Sequence, residues 1–201
     1  MLRLTILLSL SATVILSIPT PSQAGKFNDV LSVGDDAPRF EGLAGVDGKM
    51  HSMADYDAVK LVVVVFTCCH SPCATAYEQR LEAIDRDYAG RGVQLVAISV
   101  SLHAADQLPA MRERAEKAGW LFPYLHDASQ ETGRQYGASA TPQAFVLDGN
   151  RQIRYTGRID DQIDDVDVKK PYLRQALDAL LEGQDPPTTE TRPAGCRISY
   201  K

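Results

Sequence analysis

The chain has 201 residues, with 21 basic and 26 acidic side chains and a formal net charge of −5. Because it contains no run of basic residues, nucleic acid and anionic membrane surfaces are poor candidates for partners. The length suits one domain with a core large enough to be stable without disulfide cross-links.

The first 24 residues have the pattern of a secretory signal. Arg3 precedes an apolar run over Leu4–Ile18, and small residues precede a predicted cleavage after Ala24. We therefore predict that residues 1–24 are a signal peptide and that the mature protein is exported, to a periplasm or out of the cell, with no membrane attachment after cleavage. An uncleaved anchor is the alternative.

The rest of the chain shows alternating strand and helix patterns. In chain order, the predicted elements are strand Leu61–Phe66, helix Ala74–Tyr88, strand Val93–Val100, helix Gln107–Ala118, strand Leu121–Leu125, helix Gln130–Tyr136, strands Gln143–Leu147 and Gln152–Thr156, and helix Lys170–Leu181. This order indicates an α/β fold in which a central mixed sheet is flanked by helices. We expect one domain over residues 25–185 and an irregular C-terminal tail over 186–201.

Four cysteines follow the predicted cleavage site, and Cys68, Cys69 and Cys73 lie within six residues of one another. Disulfides persist in exported proteins, but so tight a cluster closes no long loop. We therefore interpret it as reactive or metal-binding thiols rather than a structural framework. The cluster lies between a strand and a helix, and the first turn of a helix favours a thiolate, so we expect a lowered cysteine pKa.

Five segments of the chain carry a pattern found in one protein family. They are Phe66-Thr67-Cys68-Cys69-His70-Ser71-Pro72, Phe122-Pro123-Tyr124-Leu125, Thr141-Pro142, Tyr155–Asp161 and Gly195-Cys196. Together they resemble the peroxiredoxin-like branch of the redoxin family (alkyl hydroperoxide reductase/thiol-specific antioxidant), over residues 35–200. The resemblance implies a thioredoxin-like fold, thiol–disulfide oxidoreductase activity, with antioxidant reduction of peroxide as a variant of it, and a cis bond before Pro142.

The resemblance also implies roles for the cysteines. Cys68 takes the attacking role because it occupies the position of the family's first site cysteine. The family's second site cysteine is Ser71 here, which cannot form a disulfide. We choose Cys73 as the resolving thiol, paired with Cys68 or Cys69, while Cys196 could also resolve if the tail folds back over the site.

Three further residues are assigned to the site. His70 would stabilise the thiolate or move protons. Thr141, held by Pro142, would offer strand-like hydrogen bonds to a partner peptide. We expect no cofactor, a protein or small-molecule thiol or disulfide as substrate, and a separate electron donor. Peroxide reduction is less favoured, because Val65 stands where a peroxiredoxin site has a threonine.

A second interpretation is copper binding. The segment from Phe66 to Cys73 also resembles the F-T-x-C-x-x-x-C segment of Sco-type copper proteins, and Cys69, Cys73 and His70 would then bind Cu(I) through soft ligands. Those proteins carry a further histidine near the proline, and it is absent here. A redox-silent binding module is a third interpretation, which the surplus of cysteines argues against.

Overall fold

The structure is a computed structural model that describes residues 25–164 and 166–201, so the predicted signal peptide lies outside the described residues. Within the described part, no helix is both long and apolar enough to span a membrane. In chain order its strands and α-helices are β1 (Leu43–Gly45), β2 (Met50–His51), β3 (Leu61–Phe66), α1 (Pro72–Thr75), α2 (Glu78–Tyr88), β4 (Val93–Ser99), α3 (Leu108–Ala118), β5 (Tyr124–His126), α4 (Glu131–Gln135), β6 (Ala140–Thr141), β7 (Gln143–Leu147), β8 (Ile153–Gly157), α5 (Tyr172–Leu181) and β9 (Cys196–Arg197).

Seven of these strands form one mixed sheet in the order β2-β1-β5-β4-β3-β7-β8. Strand β3 lies between β4, which is parallel to it, and β7, which is antiparallel. All six residues of β3 are buried, as its continuous apolar run predicts for a strand covered on both faces. The predicted α/β fold with a central mixed sheet is therefore confirmed.

The two faces of the sheet bury separate apolar clusters, because successive side chains of a strand point to opposite sides. Val63 and Val65 of β3 pack with residues of α2, α3 and α5. Val62 and Val64 pack on the other face, with aromatic residues from several segments. This packing fixes the carboxyl end of β3, from which the cysteine cluster continues.

The single helix predicted over Ala74–Tyr88 is two helices in the structure, and the first of them begins before Ala74. Helix α1 starts at Pro72, since proline suits the first helical position, and the Ser71 hydroxyl accepts a hydrogen bond from the Ala74 N–H at 3.1 Å. Cys73 consequently lies in the first turn of α1, whereas Cys68 lies before the helix.

The prediction of an irregular tail over 186–201 is wrong at β9. This strand pairs antiparallel with β6, and Cys196 lies opposite Thr141. Beyond β9, Ile198 and Tyr200 pack against the apolar cluster that contains Val62 and Val64. The Ile198 N–H and the Tyr200 hydroxyl donate to carbonyl oxygens just before β6, at 3.0 and 2.7 Å. A strand of two residues is too short to show the alternation of apolar and polar residues that predicts a strand, so β9 could not be predicted from the sequence.

Candidate active site

The cysteine loop after β3 is held by Asp106, the last residue of a short 3-10 helix. The Asp106 side chain is fully buried. Its carboxylate accepts hydrogen bonds from the main-chain N–H groups of Cys69, at 2.5 Å, and His70, at 3.1 Å, and also contacts His70 Nδ1. Because three donors converge on one buried carboxylate, Asp106 fixes the conformation of the loop.

The Cys68 thiol lies at the inner side of this loop and is only 6 % exposed. Burial raises the pKa of Cys68 to about 11, and the Asp106 charge adds to the rise, while hydrogen bonds with the Thr141 side chain and the Ser71 main chain oppose it. Its sulfur is 3.6 Å from the Thr141 hydroxyl oxygen. The expected lowering of the pKa is wrong for Cys68, because α1 begins only at Pro72 and is one turn long.

Cys69 packs against the apolar cluster that contains Val63 and Val65. Its sulfur is 3.5 Å from the hydroxyl oxygen of the buried Tyr124. Burial raises the pKa of Cys69, and the hydrogen bond with Tyr124 opposes the rise. The Cys69 thiol therefore serves the packing of the loop and has no cysteine partner in this arrangement.

Cys73 and Cys196 form the closest cysteine pair. All four cysteines are free thiols, but the sulfurs of these two lie 2.9 Å apart across 123 positions of sequence. Their hydrogen bond raises the pKa of Cys73 and, together with one from Ser71, lowers the pKa of Cys196. Cys196 is therefore the more acidic thiol of the pair.

Gly195 makes this pairing possible. A Cβ atom at Gly195 would lie 2.3 Å from the main-chain oxygen of Thr141. Only a residue without a side chain lets β9 approach β6 so closely.

A cavity of about 340 Å³ opens beside Cys68. The cysteine loop, the segment after β4, Thr141 and the stretch from β9 onward form its walls, so that Cys68 and Cys196 share one cavity. At its edge the rings of His70 and His103 stack with centroids 4.8 Å apart. Cys68 therefore lies on the wall of a cavity whose volume is in the range of small-molecule sites.

The structure thus brings together Cys68, His70 and Thr141 of the predicted site, and the Thr141–Pro142 bond is cis as predicted. The Cys69 thiol contacts the Tyr124 hydroxyl instead, and the Cys73 thiol contacts Cys196 rather than Cys68 or Cys69.

Two functional residues were not visible as such in the sequence. Asp106 is an ordinary acidic residue 36 positions from His70, and no local pattern marks it. His103 is exposed, and its ring stacks on that of His70. His126 is buried in β5.

The potential metal ligands that come together differ from the predicted copper set. Among the described residues, ligand atoms of Cys68, His70 and Asp106 lie within 4.8 Å of one another. Neither Cys69 nor Cys73 belongs to this group, so the Cys69-x-x-x-Cys73 pair is not assembled as a metal site.

Comparison with known proteins identifies the family. The model of the AhpC/TSA family matches residues 33–156. The chain belongs to the AhpC/TSA family. A crystal structure of an uncharacterized conserved protein from Geobacillus kaustophilus is similar with a TM-score of 0.80 and 32 % identity, covering 87 % of this chain and 95 % of that one. A hypothetical protein from Sinorhizobium meliloti 1021 gives a TM-score of 0.80 and 31 % identity, covering 87 % and 97 %.

A curated relative carries a functional name. The thiol–disulfide oxidoreductase ResA of Geobacillus kaustophilus is 26 % identical over 155 residues, which cover 76 % of this chain and 83 % of that protein. The predicted redoxin family is confirmed, and so is the predicted class, an oxidoreductase enzyme of the thiol–disulfide type.

The cysteines of this AhpC/TSA member should differ in how alkylation by iodoacetamide depends on pH. The thiolate is the reacting form, so with a pKa of about 11 the rate at Cys68 should rise roughly tenfold per pH unit between about pH 7 and 9. The pKa of Cys196 is lowered from the ordinary value of 9.0, so its alkylation rate should level off at a pH below 9.0. Mass spectrometry of the reduced protein measures both rates, with the protein in concentrated guanidinium chloride as control. A Cys68 rate that levels off near neutral pH would contradict the burial argument.

Proposed function

We propose that the protein is an exported disulfide reductase in which Cys68 attacks the substrate and the Cys73–Cys196 pair receives the oxidation. The observation that carries this proposal is the 2.9 Å contact between the Cys73 and Cys196 sulfurs at the edge of the cavity that holds Cys68. A small side-chain movement would bring the two sulfurs to the S–S bond length, and the substrate disulfide supplies the two-electron oxidation that forms the bond.

The reaction proceeds by three exchanges. The Cys68 thiolate attacks one sulfur of the substrate disulfide, the substrate S–S bond breaks, and one half leaves as a thiolate. The Cys196 thiolate, which lines the same cavity, attacks the Cys68 sulfur and releases the second half. Cys73 then attacks the Cys196 sulfur, which leaves Cys68 reduced. An external dithiol donor reduces the resulting Cys73–Cys196 disulfide and closes the cycle.

This route reassigns the resolving role that the sequence suggested for Cys73. Cys196 lines the cavity together with Cys68, whereas Cys73 is not among the residues that form it. The lowered pKa of Cys196 also makes it the better attacking thiol of the pair. Cys73 becomes the last acceptor in the chain of exchanges.

His70 and Thr141 assist Cys68. A ring nitrogen of His70 lies within 4.8 Å of the Cys68 sulfur, and Asp106 holds the ring in place, so His70 is placed to take the proton when Cys68 ionises. The Thr141 hydroxyl accepts from the Cys68 thiol and donates to the Cys196 carbonyl oxygen, and it would turn its hydrogen toward Cys68 to stabilise the thiolate. A backbone role of Thr141 and Pro142 toward a partner peptide is not part of this proposal, since β9 occupies that edge of β6.

Export, copper binding and peroxide reduction are supported to different degrees. Export rests on the N-terminal pattern and would place the disulfide cycle in an oxidising compartment. Copper binding has less support, because Cys69 contacts Tyr124 and Cys73 contacts Cys196. Peroxide reduction also has less support, because Val65 replaces the threonine expected three residues before Cys68.

Disulfide mapping tests the proposal. After oxidation of residues 25–201 with one equivalent of bis(2-hydroxyethyl) disulfide, we expect the Cys73–Cys196 disulfide to predominate, with Cys68 and Cys69 reduced. The pair should be reduced by dithiothreitol at a potential above about −300 mV, the range of catalytic rather than structural disulfides. A pair that resists this reduction would make the disulfide structural and the proposal wrong. Tight, stoichiometric Cu(I) uptake by the reduced protein would favour the copper interpretation.

A further inference from the structure

The edge of β6 next to the cavity is closed to a peptide by the chain itself. Strand β9 takes the antiparallel position there. The residues that follow are anchored by the Gln130 side chain, which donates to the Ser199 carbonyl oxygen at 3.0 Å and accepts from the Lys201 N–H at 2.9 Å. A protein substrate that needed the β6 edge would have to displace this whole anchored segment.

The cavity itself suits a small molecule. Its volume of about 340 Å³ is at the lower end of the range for small-molecule sites. The apolar part of its wall is formed by Val100, Leu102 and Ile198, and Cys68 also lines the cavity. A disulfide of low molecular mass can therefore reach the Cys68 sulfur without any movement of β9.

The lining of this cavity is cationic, although the chain as a whole is acidic. Among the described residues that line it there is no aspartate or glutamate, whereas Arg197 and Lys201 are present. Neither Arg197 nor Lys201 forms an ion pair with any described residue, while seven other arginines do. Those seven are Arg39, Arg80, Arg86, Arg91, Arg114, Arg154 and Arg174.

Other charges lie near this lining. The guanidinium of Arg134 donates to the main-chain oxygen of Lys201, so it already has a partner. The Asp106 carboxylate is buried behind His70, accepts hydrogen bonds from the loop, and acts on the Cys68 side of the cavity. The side chains of Arg197 and Lys201 form no ion pair with a described residue, so an anionic group at the mouth would meet these two cations.

Building on the proposed disulfide reductase function, we infer that the substrate is a small disulfide that carries carboxylate groups. Cys68 attacks one of its sulfurs in the cavity, and Arg197 and Lys201 attract its carboxylates. The products are two small anionic thiols, and the oxidation passes to the Cys73–Cys196 pair as before.

Three disulfides of similar size and different charge test this inference. They are 3,3′-dithiodipropionate with two carboxylates, neutral bis(2-hydroxyethyl) disulfide, and cystamine with two ammonium groups. We expect kcat/KM to fall by about tenfold at each step in that order, and the differences to shrink as salt is added. Insulin, a protein disulfide, should be reduced at least about a hundredfold more slowly than dithiodipropionate, since β9 blocks the peptide edge.

Charge variants give the matched comparison. In the double variant Arg197→Gln/Lys201→Gln, the ratio of kcat/KM for dithiodipropionate to that for the neutral disulfide should fall about tenfold. The control Lys60→Gln/Lys117→Gln removes the same charge from exposed residues outside the cavity, and its ratio should stay within about twofold. Equal rates for the three probes, or insulin as the fastest, would overturn the substrate inference and leave the reductase standing. No reduction of any disulfide would overturn the proposed function itself.

Discussion

A Cys196→Ser variant should lose disulfide reduction by about a hundredfold or more and accumulate a mixed disulfide between Cys68 and the substrate. The reason is that, in the proposed cycle, Cys196 supplies the resolving thiolate, and it lines the same cavity as Cys68. Serine is close in size but cannot attack the mixed disulfide. Intact-mass measurement after incubation with dithiodipropionate would show an adduct of one substrate half.

The other cysteine variants should stop the cycle at different points. Cys68→Ser should give no adduct and no turnover. Cys73→Ser should stop one step later, as a Cys68–Cys196 disulfide without bound substrate. Cys69→Ser is the matched control, because the Cys69 thiol faces Tyr124, and turnover should stay within about twofold. If Cys73→Ser traps the substrate and Cys196→Ser turns over normally, the resolving role returns to Cys73.

Gly195→Ala should separate the outer thiol pair. The added methyl carbon would lie 2.3 Å from the oxygen and 2.7 Å from the carbonyl carbon of Thr141. Both are main-chain atoms, so no side-chain rotation relieves the clash, and β9 must move away from β6. We expect the free energy of unfolding to fall by about 2 kcal/mol and formation of the Cys73–Cys196 disulfide to slow at least about tenfold.

Urea unfolding and timed trapping of thiols measure these two effects. Gly90→Ala is the control, because nothing lies within 4 Å of a Cβ at that position, and its free energy of unfolding should change by less than about 0.5 kcal/mol. If Gly195→Ala forms the outer disulfide as fast as the unmodified chain, the pairing of β9 with β6 does not position Cys196.

The architecture could be predicted because its signals are local. The run of β-branched residues in β3 has the length and composition of a buried strand, and Gly and Pro mark the ends of neighbouring elements. The position of the cysteine cluster after β3 followed from the same signals. These features depend only on residues close together in the sequence.

The electrostatics and the pairing of the site could not be predicted this way. The helix-terminus argument for a low Cys68 pKa fails because burial, a tertiary effect, outweighs a one-turn helix. Asp106 reaches the loop only when β3 and β4 are side by side. Cys196 meets Cys73 only through a two-residue strand, which carries no periodic signal.

The separation of Cys73 and Cys196 along the chain has a consequence for synthesis. During translation the loop cysteines emerge well before Cys196, which follows Cys73 by 123 positions. Contacts between such distant residues form late in folding, since a long loop must close first. A partly made or partly folded chain therefore carries Cys68 without its resolving partner. In the proposed mechanism, catalytic cycling would begin only after β9 has docked, and incomplete chains would not exchange disulfides through the full cycle.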